Sequence, residues 1–167
     1  VLAVNDAYRL FPWAEVLYGC DARWWATVAP DFAGEKWISV DGGRAQEVGT
    51  VASKFGLKMI RGLGMPFFST DPRFIHYGYS SGYQAINLAL LFGANPLALI
   101  GFDFRNDEKG RTHFFGSHKA PLANTTNFSL WLKCLDDAAK KLPPGIEIIN
   151  CTPGSAIASF PRGNLKE

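Results

Sequence analysis

Short apolar runs recur along the chain, and several close on polar residues. Val1–Asn5 ends in Asn5-Asp6, Glu15–Gly19 leads into Cys20-Asp21, and Pro96–Ile100 leads into Gly101-Phe102-Asp103. Trp37–Val40, Leu57–Ile60, Arg73–Tyr77 and Ile146–Ile149 have the same character. Runs this short and this apolar predict strands buried on both faces, as in a parallel sheet, with polar residues gathered at the carboxyl ends. Three segments between them predict helices. Arg44–Phe55 is one. Ser81–Phe92 has Ser80 or Ser81 as N-cap and Gly93 as its stop, and it is apolar nearly all round, which predicts a helix buried on every side. Thr126–Leu142 puts Phe128, Trp131, Leu135, Ala138 and Leu142 on one stripe, with Asp136/Lys140 and Asp137/Lys141 as i,i+4 pairs outside it, and Pro143-Pro144-Gly145 ends it. Strands alternating with helices predict a single α/β domain over residues 1–167, Rossmann-like and doubly wound about a mainly parallel sheet. Val1–Asn5 reads as a strand already under way, so an upstream segment is expected.

Length and composition fit this picture. The chain has 167 residues, 47% of them apolar, enough for one core without staples. A net charge of +2 gives no electrostatic ground for a nucleic-acid partner, and no apolar run of about 18 residues predicts a membrane span. Cys20, Cys134 and Cys151 are scattered, with no CxxC pair and no Cys/His zinc spacing. That pattern predicts reduced thiols in a cytoplasmic protein and no metal centre. It leaves the choice between monomer and homo-oligomer open.

Motifs at several strand ends and in one long loop can carry chemistry. Tyr77-Gly78-Tyr79-Ser80-Ser81-Gly82 opens the buried helix, where free N–H groups and the helix dipole favour an anion; the same serines can equally be simple caps. Asp103, Asp21 and the pair Asn5-Asp6 each follow a strand, where they can bind a ribose hydroxyl or cap a neighbouring loop. Thr152 and Ser155, after the last strand, either meet a ligand or shape a turn. The segment Arg105–Thr125 has no periodicity and is long for a loop, which points to function. It holds Arg105 and Arg111, suited to phosphate, and His113 and His118, suited to proton transfer near neutral pH. A solvated loop is the alternative.

Taken together, these motifs resemble a known family. Ser80-Ser81-Gly82, the apolar helix ending at Gly93-Ala94, and Gly101-Phe102-Asp103-Phe104 resemble the T-S-G helix start and G-I-D-F strand end of bacterial sialyltransferases of glycosyltransferase family 42. Thr152-Pro153-Gly154-Ser155-Ala156-Ile157-Ala158-Ser159-Phe160 resembles their C-P-N-S-L-L-A-N-F segment, and Val4-Asn5-Asp6 their R-C-N-Q. The same core recurs in the 6-hydroxymethylpterin diphosphokinase-like family, and the style of the chain also resembles phage-encoded proteins. The resemblance implies a small-molecule nucleotide donor of the CMP-sugar type and an acceptor of unknown identity. Asn5, Asp6, Asp21, Ser80, Ser81, Gly82, Asp103, Thr152 and Ser155 would line the donor site, with His118 as general base. Arg105 stands where the family has a tyrosine that steadies the departing phosphate, and Arg111 lies near a second such position. The pterin-type alternative would require Mg²⁺ on Asp103 or Asp21, and a third alternative is a non-catalytic accessory protein with the same fold.

Overall fold

A computed structural model describes residues 1–65, 67–116, 122 and 126–165. Five strands, β1 (Leu2–Val4), β2 (Val16–Tyr18), β3 (Glu35–Val40), β4 (Lys58–Leu63) and β5 (Phe74–His76), pair in that order, every pair parallel. A second parallel ladder joins β6 (Leu97–Leu99) to β7 (Ile148–Asn150). The fold is therefore α/β and Rossmann-like, as the alternation of apolar runs predicts.

Side-chain alternation explains why both sheet faces are apolar. Ala3, Leu17 and Ile38 point to one face, where α1 (Ala22–Val28) and α2 (Ala45–Phe55) cover them through Trp24, Trp25, Val48 and Ala52. Their neighbours Leu2, Val4, Tyr18 and Trp37 point to the other face and meet Ala85 and Leu88 of α3 (Ser81–Leu91). Period-two alternation with two apolar faces is what a sheet covered on both sides requires. α1 and a 3-10 helix at Asn5–Arg9 are additions to the predicted elements. Seven residues spanning two tryptophans give too short a window for a helical period to stand out.

α3 is buried from Tyr83 through Ala89, as its all-round apolar sequence predicts. It touches both β1 and β5, the two edges of the five-stranded ladder. Flat strands at those positions would lie about 19 Å apart, wider than a helix of about 10–12 Å. The sheet therefore curls around α3. On its far side α3 presents Tyr83 and Ile86 to the cluster formed by β6, β7 and α4 (Phe128–Ala139), through Leu99, Ile148, Leu135 and Ala138.

Two amides pin α3 in place. Gln84 Oε1 accepts from the Tyr18 hydroxyl at 2.6 Å and from Ser39 Oγ at 2.8 Å, all three residues buried. Asn87, fully buried, accepts from the Ser69 and His76 N–H groups and donates to the Ser69 carbonyl. A buried amide is tolerable only when its atoms are satisfied, so these bonds fix the rotation of α3 against the sheet.

Candidate functional site

Among the described residues the strands all lie in parallel ladders, and their carboxyl ends carry the predicted polar residues, as ligand sites of open α/β sheets do. The backbone there is unusual. Four non-glycine residues have positive φ among the described residues, and three of them follow strands: Asn5 (47°) after β1, Tyr79 (59°) after β5 and Phe104 (50°) after β6. For a bulky side chain this conformation is strained and persists only where its surroundings impose it.

The half of this edge formed by β1–β5 is partly buried. Asn5 leans towards Gly19, where a Cβ would sit 3.0 Å from Asn5 Oδ1, so glycine is needed for the close approach. Asn5 Oδ1 is buried and has no hydrogen-bond partner among the described residues. Beside it, Cys20 Sγ and Ser81 Oγ lie 2.9 Å apart. Burial pushes the Cys20 thiol up, the bond to Ser81 acting against it. Ser80 Oγ caps α3 by accepting from the Tyr83 N–H at 3.1 Å, which leaves the Ser81 and Gly82 N–H groups as the free donors of the first turn. Tyr77 lays its ring across Gly62, and its buried hydroxyl has no hydrogen-bond partner among the described residues. Burial, followed by the nearby Asp41 carboxylate, raises the Tyr77 hydroxyl to about 12. Tyr79 stands out from this turn, 67% exposed.

Several predicted residues are engaged in holding the structure. Asp6 is buried, accepts from Trp24 Nε1 at 2.8 Å and pairs with Arg9 at 3.2 Å. Asp21 caps α1 by accepting from the Arg23 N–H at 2.9 Å and also pairs with the Arg23 guanidinium. Gly82 faces Phe102, whose ring would lie 3.1 Å from an added Cβ, so its small size serves packing against the loop after β6.

The half formed by β6–β7 is more open. Thr152 Oγ1 accepts from the Phe102 N–H at 3.0 Å, and Ser155 Oγ donates to the Phe102 carbonyl while accepting from Asn150 and the Ile157 N–H. These two side chains thus fasten the tail to the strand end. Arg105 rests on that turn: a Cβ at Gly154 would meet its guanidinium at 2.7 Å. Arg105 is exposed and forms no ion pair among the described residues. Asp103 is also exposed. Arg111 is held by Asp107 at 2.6 Å, which also accepts from the Lys109 and Arg111 N–H groups. Asp103, Arg105, Arg111 and His113 line one shallow cleft. His118 lies outside the described residues. Among the described residues no group of three or more His, Cys, Asp and Glu side chains is placed to hold a metal ion, and no helix is long and apolar enough to cross a membrane.

The structure thus brings Asn5, Ser81 and Gly82 to one edge and adds Cys20, Tyr77 and Tyr79. Tyr77 and Tyr79 lie within the predicted strand-end motif, but the burial of the Tyr77 hydroxyl and the exposure and backbone strain of Tyr79 have no signature in the residue types alone. Comparisons with family models, with curated proteins and with solved structures return no match.

Proposed function

We propose that the carboxyl edge binds a nucleotide-activated donor and that the chain transfers a group from it, most like a glycosyl group from a CMP-sugar. The observation that carries this reading is the left-handed backbone at Asn5, Tyr79 and Phe104, each beyond the carboxyl end of a strand of the two ladders, together with Asn5 Oδ1, buried and without a hydrogen-bond partner among the described residues. Strain of this kind gathers where a ligand is clamped, and an orphaned buried acceptor calls for a donor from outside the fold. A base amino group or a ribose hydroxyl supplies such a donor. The free Ser81 and Gly82 N–H groups suit a phosphate at the start of α3, and the exposed Tyr79 ring suits a base or sugar face. Arg105, with no carboxylate partner among the described residues, is a cation available to the leaving phosphate; Arg111 has first to leave Asp107. The resemblance assigns removal of the acceptor proton to His118.

A thermal-shift panel of CMP, CDP, UMP, GDP and ATP, each with and without Mg²⁺, tests the reading. A ligand at about a hundred times its dissociation constant adds roughly 2.7 kcal/mol of stability. Metal-independent stabilisation by CMP or CDP is expected. Stabilisation by ATP only with Mg²⁺ points instead to diphosphate transfer, and no shift with any nucleotide points to an accessory protein.

A further inference from the structure

The ladder of β6 and β7 turns its two faces to different surroundings. Leu97, Leu99 and Ile148 point into the core shared with α3 and α4. By period-two alternation Ala98, Ile100, Ile149 and Cys151 point the other way. Ile100 is 46% exposed, and Cys151 is half-buried. The tail widens this second face. It pairs in parallel beside β7, the Asn150 N–H donating to the Pro161 carbonyl and the Gly163 N–H to the Asn150 carbonyl. Gly163 lays no side chain over its neighbours: a Cβ there would stand 2.3 Å from Ile149 Cγ2 and 3.5 Å from Cys151 Sγ. Leu165, 61% exposed, continues the apolar wall.

Ile100, Cys151, Gly163 and Leu165, with the Thr152–Gly154 turn and Arg162, line an open cavity of about 670 Å³. Small-molecule sites span roughly 300–1,000 Å³ and are mostly apolar with a few placed polar groups. Among the described residues the one charged side chain lining this cavity is Arg162. Its Nη1 donates to the Thr152 carbonyl at 3.1 Å and its Nη2 to the Ser155 carbonyl, so two of the five guanidinium N–H groups fix it in place. Both acceptors are neutral, and Arg162 forms no ion pair among the described residues. A purely apolar occupant would take water from the guanidinium without replacing it. A bare inorganic anion would leave the apolar walls wet. A molecule with an apolar body and an anionic head satisfies both.

We propose that this cavity is a binding site for a small amphipathic anion, an alkyl or aryl phosphate or carboxylate. The head pairs with Arg162, and the body lies against Ile100, Cys151 and Leu165. Occupancy of this cavity does not depend on a bound nucleotide.

The rate at which N-ethylmaleimide modifies Cys151, followed cysteine by cysteine with peptide mass spectrometry, tests the site. Burial pushes the Cys20 and Cys134 thiols up, so these two react slowly and serve as references for opening of the whole fold. Octyl phosphate or octanoate, monomeric and at about ten times its dissociation constant, should slow Cys151 about tenfold and leave the reference thiols unchanged. The stronger protector of the two identifies the head. Octanol and inorganic phosphate at the same concentration should protect far less. The proposal is overturned if neither amphiphile protects Cys151, if octanol or inorganic phosphate protects it equally, or if all three thiols slow together. Cys151 already shielded in the protein alone would give this face to a protein segment or a second copy, and overturns it too. Ile100→Glu, at a position already exposed, should keep the fold and abolish the protection, and Arg162→Gln should lower it to the level of octanol. Protection unchanged in both variants contradicts the site.

Discussion

The two halves of the carboxyl edge are built on opposite plans. Around β1–β5 the polar groups are buried and fixed: Gln84 and Asn87 lock α3, Ser80 caps it, and Cys20 meets Ser81. Around β6–β7 the predicted ligand residues Asp103 and Arg105 are exposed, and Arg105 has no carboxylate partner among the described residues. The first half is a rigid frame with a few unsatisfied atoms, and the second is a firm turn bearing exposed charges. A donor site of this kind would fix the base and ribose on the frame and meet the phosphate with an adaptable side chain. Rigid elements give positional accuracy, and an exposed arginine supplies charge without being committed elsewhere.

The largest expected effect lies in the frame. Asn87→Leu strips partners from the Ser69 N–H, the Ser69 carbonyl and the His76 N–H, and should cost about 4 kcal/mol in urea unfolding, each orphaned group costing roughly 1–3. A loss under about 1 kcal/mol would mean that the frame is not locked as described. Gln84→Leu should cost about 2–3 kcal/mol by orphaning the Tyr18 and Ser39 hydroxyls. Adding Tyr18→Phe and Ser39→Ala should recover more than half of that loss, because no buried donor then remains unpaired.

A smaller effect follows from pH. Tyr77 is held at about 12 against an ordinary 10.0, with burial as the main cause, and Tyr18 and Tyr83 are raised as well. The folded protein therefore keeps protons that the unfolded chain releases above pH 10. This contribution is fully present below pH 10 and is lost as pH climbs through 12. Tyrosinate absorbance should rise together with loss of helix circular dichroism, and Tyr77→Phe should make the decline shallower.

The smallest stability effects belong to the open half and to the strained turn. Arg105→Ala should change stability by no more than about 0.5 kcal/mol, as at other exposed sites without partners. Tyr79→Gly should leave stability unchanged or raise it by up to about 1 kcal/mol, because strain relief works against added chain entropy. Both should nevertheless reduce the thermal shift given by the nucleotide that stabilises the parent protein. Unchanged nucleotide shifts in both variants would separate this edge from ligand binding.

Much of the fold is legible in the residues. The strands β1, β2, β3, β4, β5, β6 and β7 each fall within or beside an apolar run, and the even hydrophobicity of Ser81–Leu91 announces a buried helix. The division into two ladders is not legible, because pairing order depends on crossovers and on the curl around α3. The site is only half legible. Polar residues after strands mark the edge, and Asn5 and Ser81 lie there. Asp6, Asp21, Thr152 and Ser155 have the same sequence signature yet spend their polar atoms on Trp24, Arg23, Phe102 and Asn150. A carboxylate or hydroxyl in a strand-end position looks the same whether its partner is a ligand or the protein itself.

Amide chemical-shift mapping with CMP tests the central claim most directly. The account predicts perturbations concentrated at Asn5, Tyr79, Ser81 and Gly82, with weaker ones near Arg105, and their disappearance from the Asn5 region in Asn5→Ala. Perturbations confined to the opposite edge, around Gly34 and Asp71, or saturating CMP without any perturbation at α3, would contradict it.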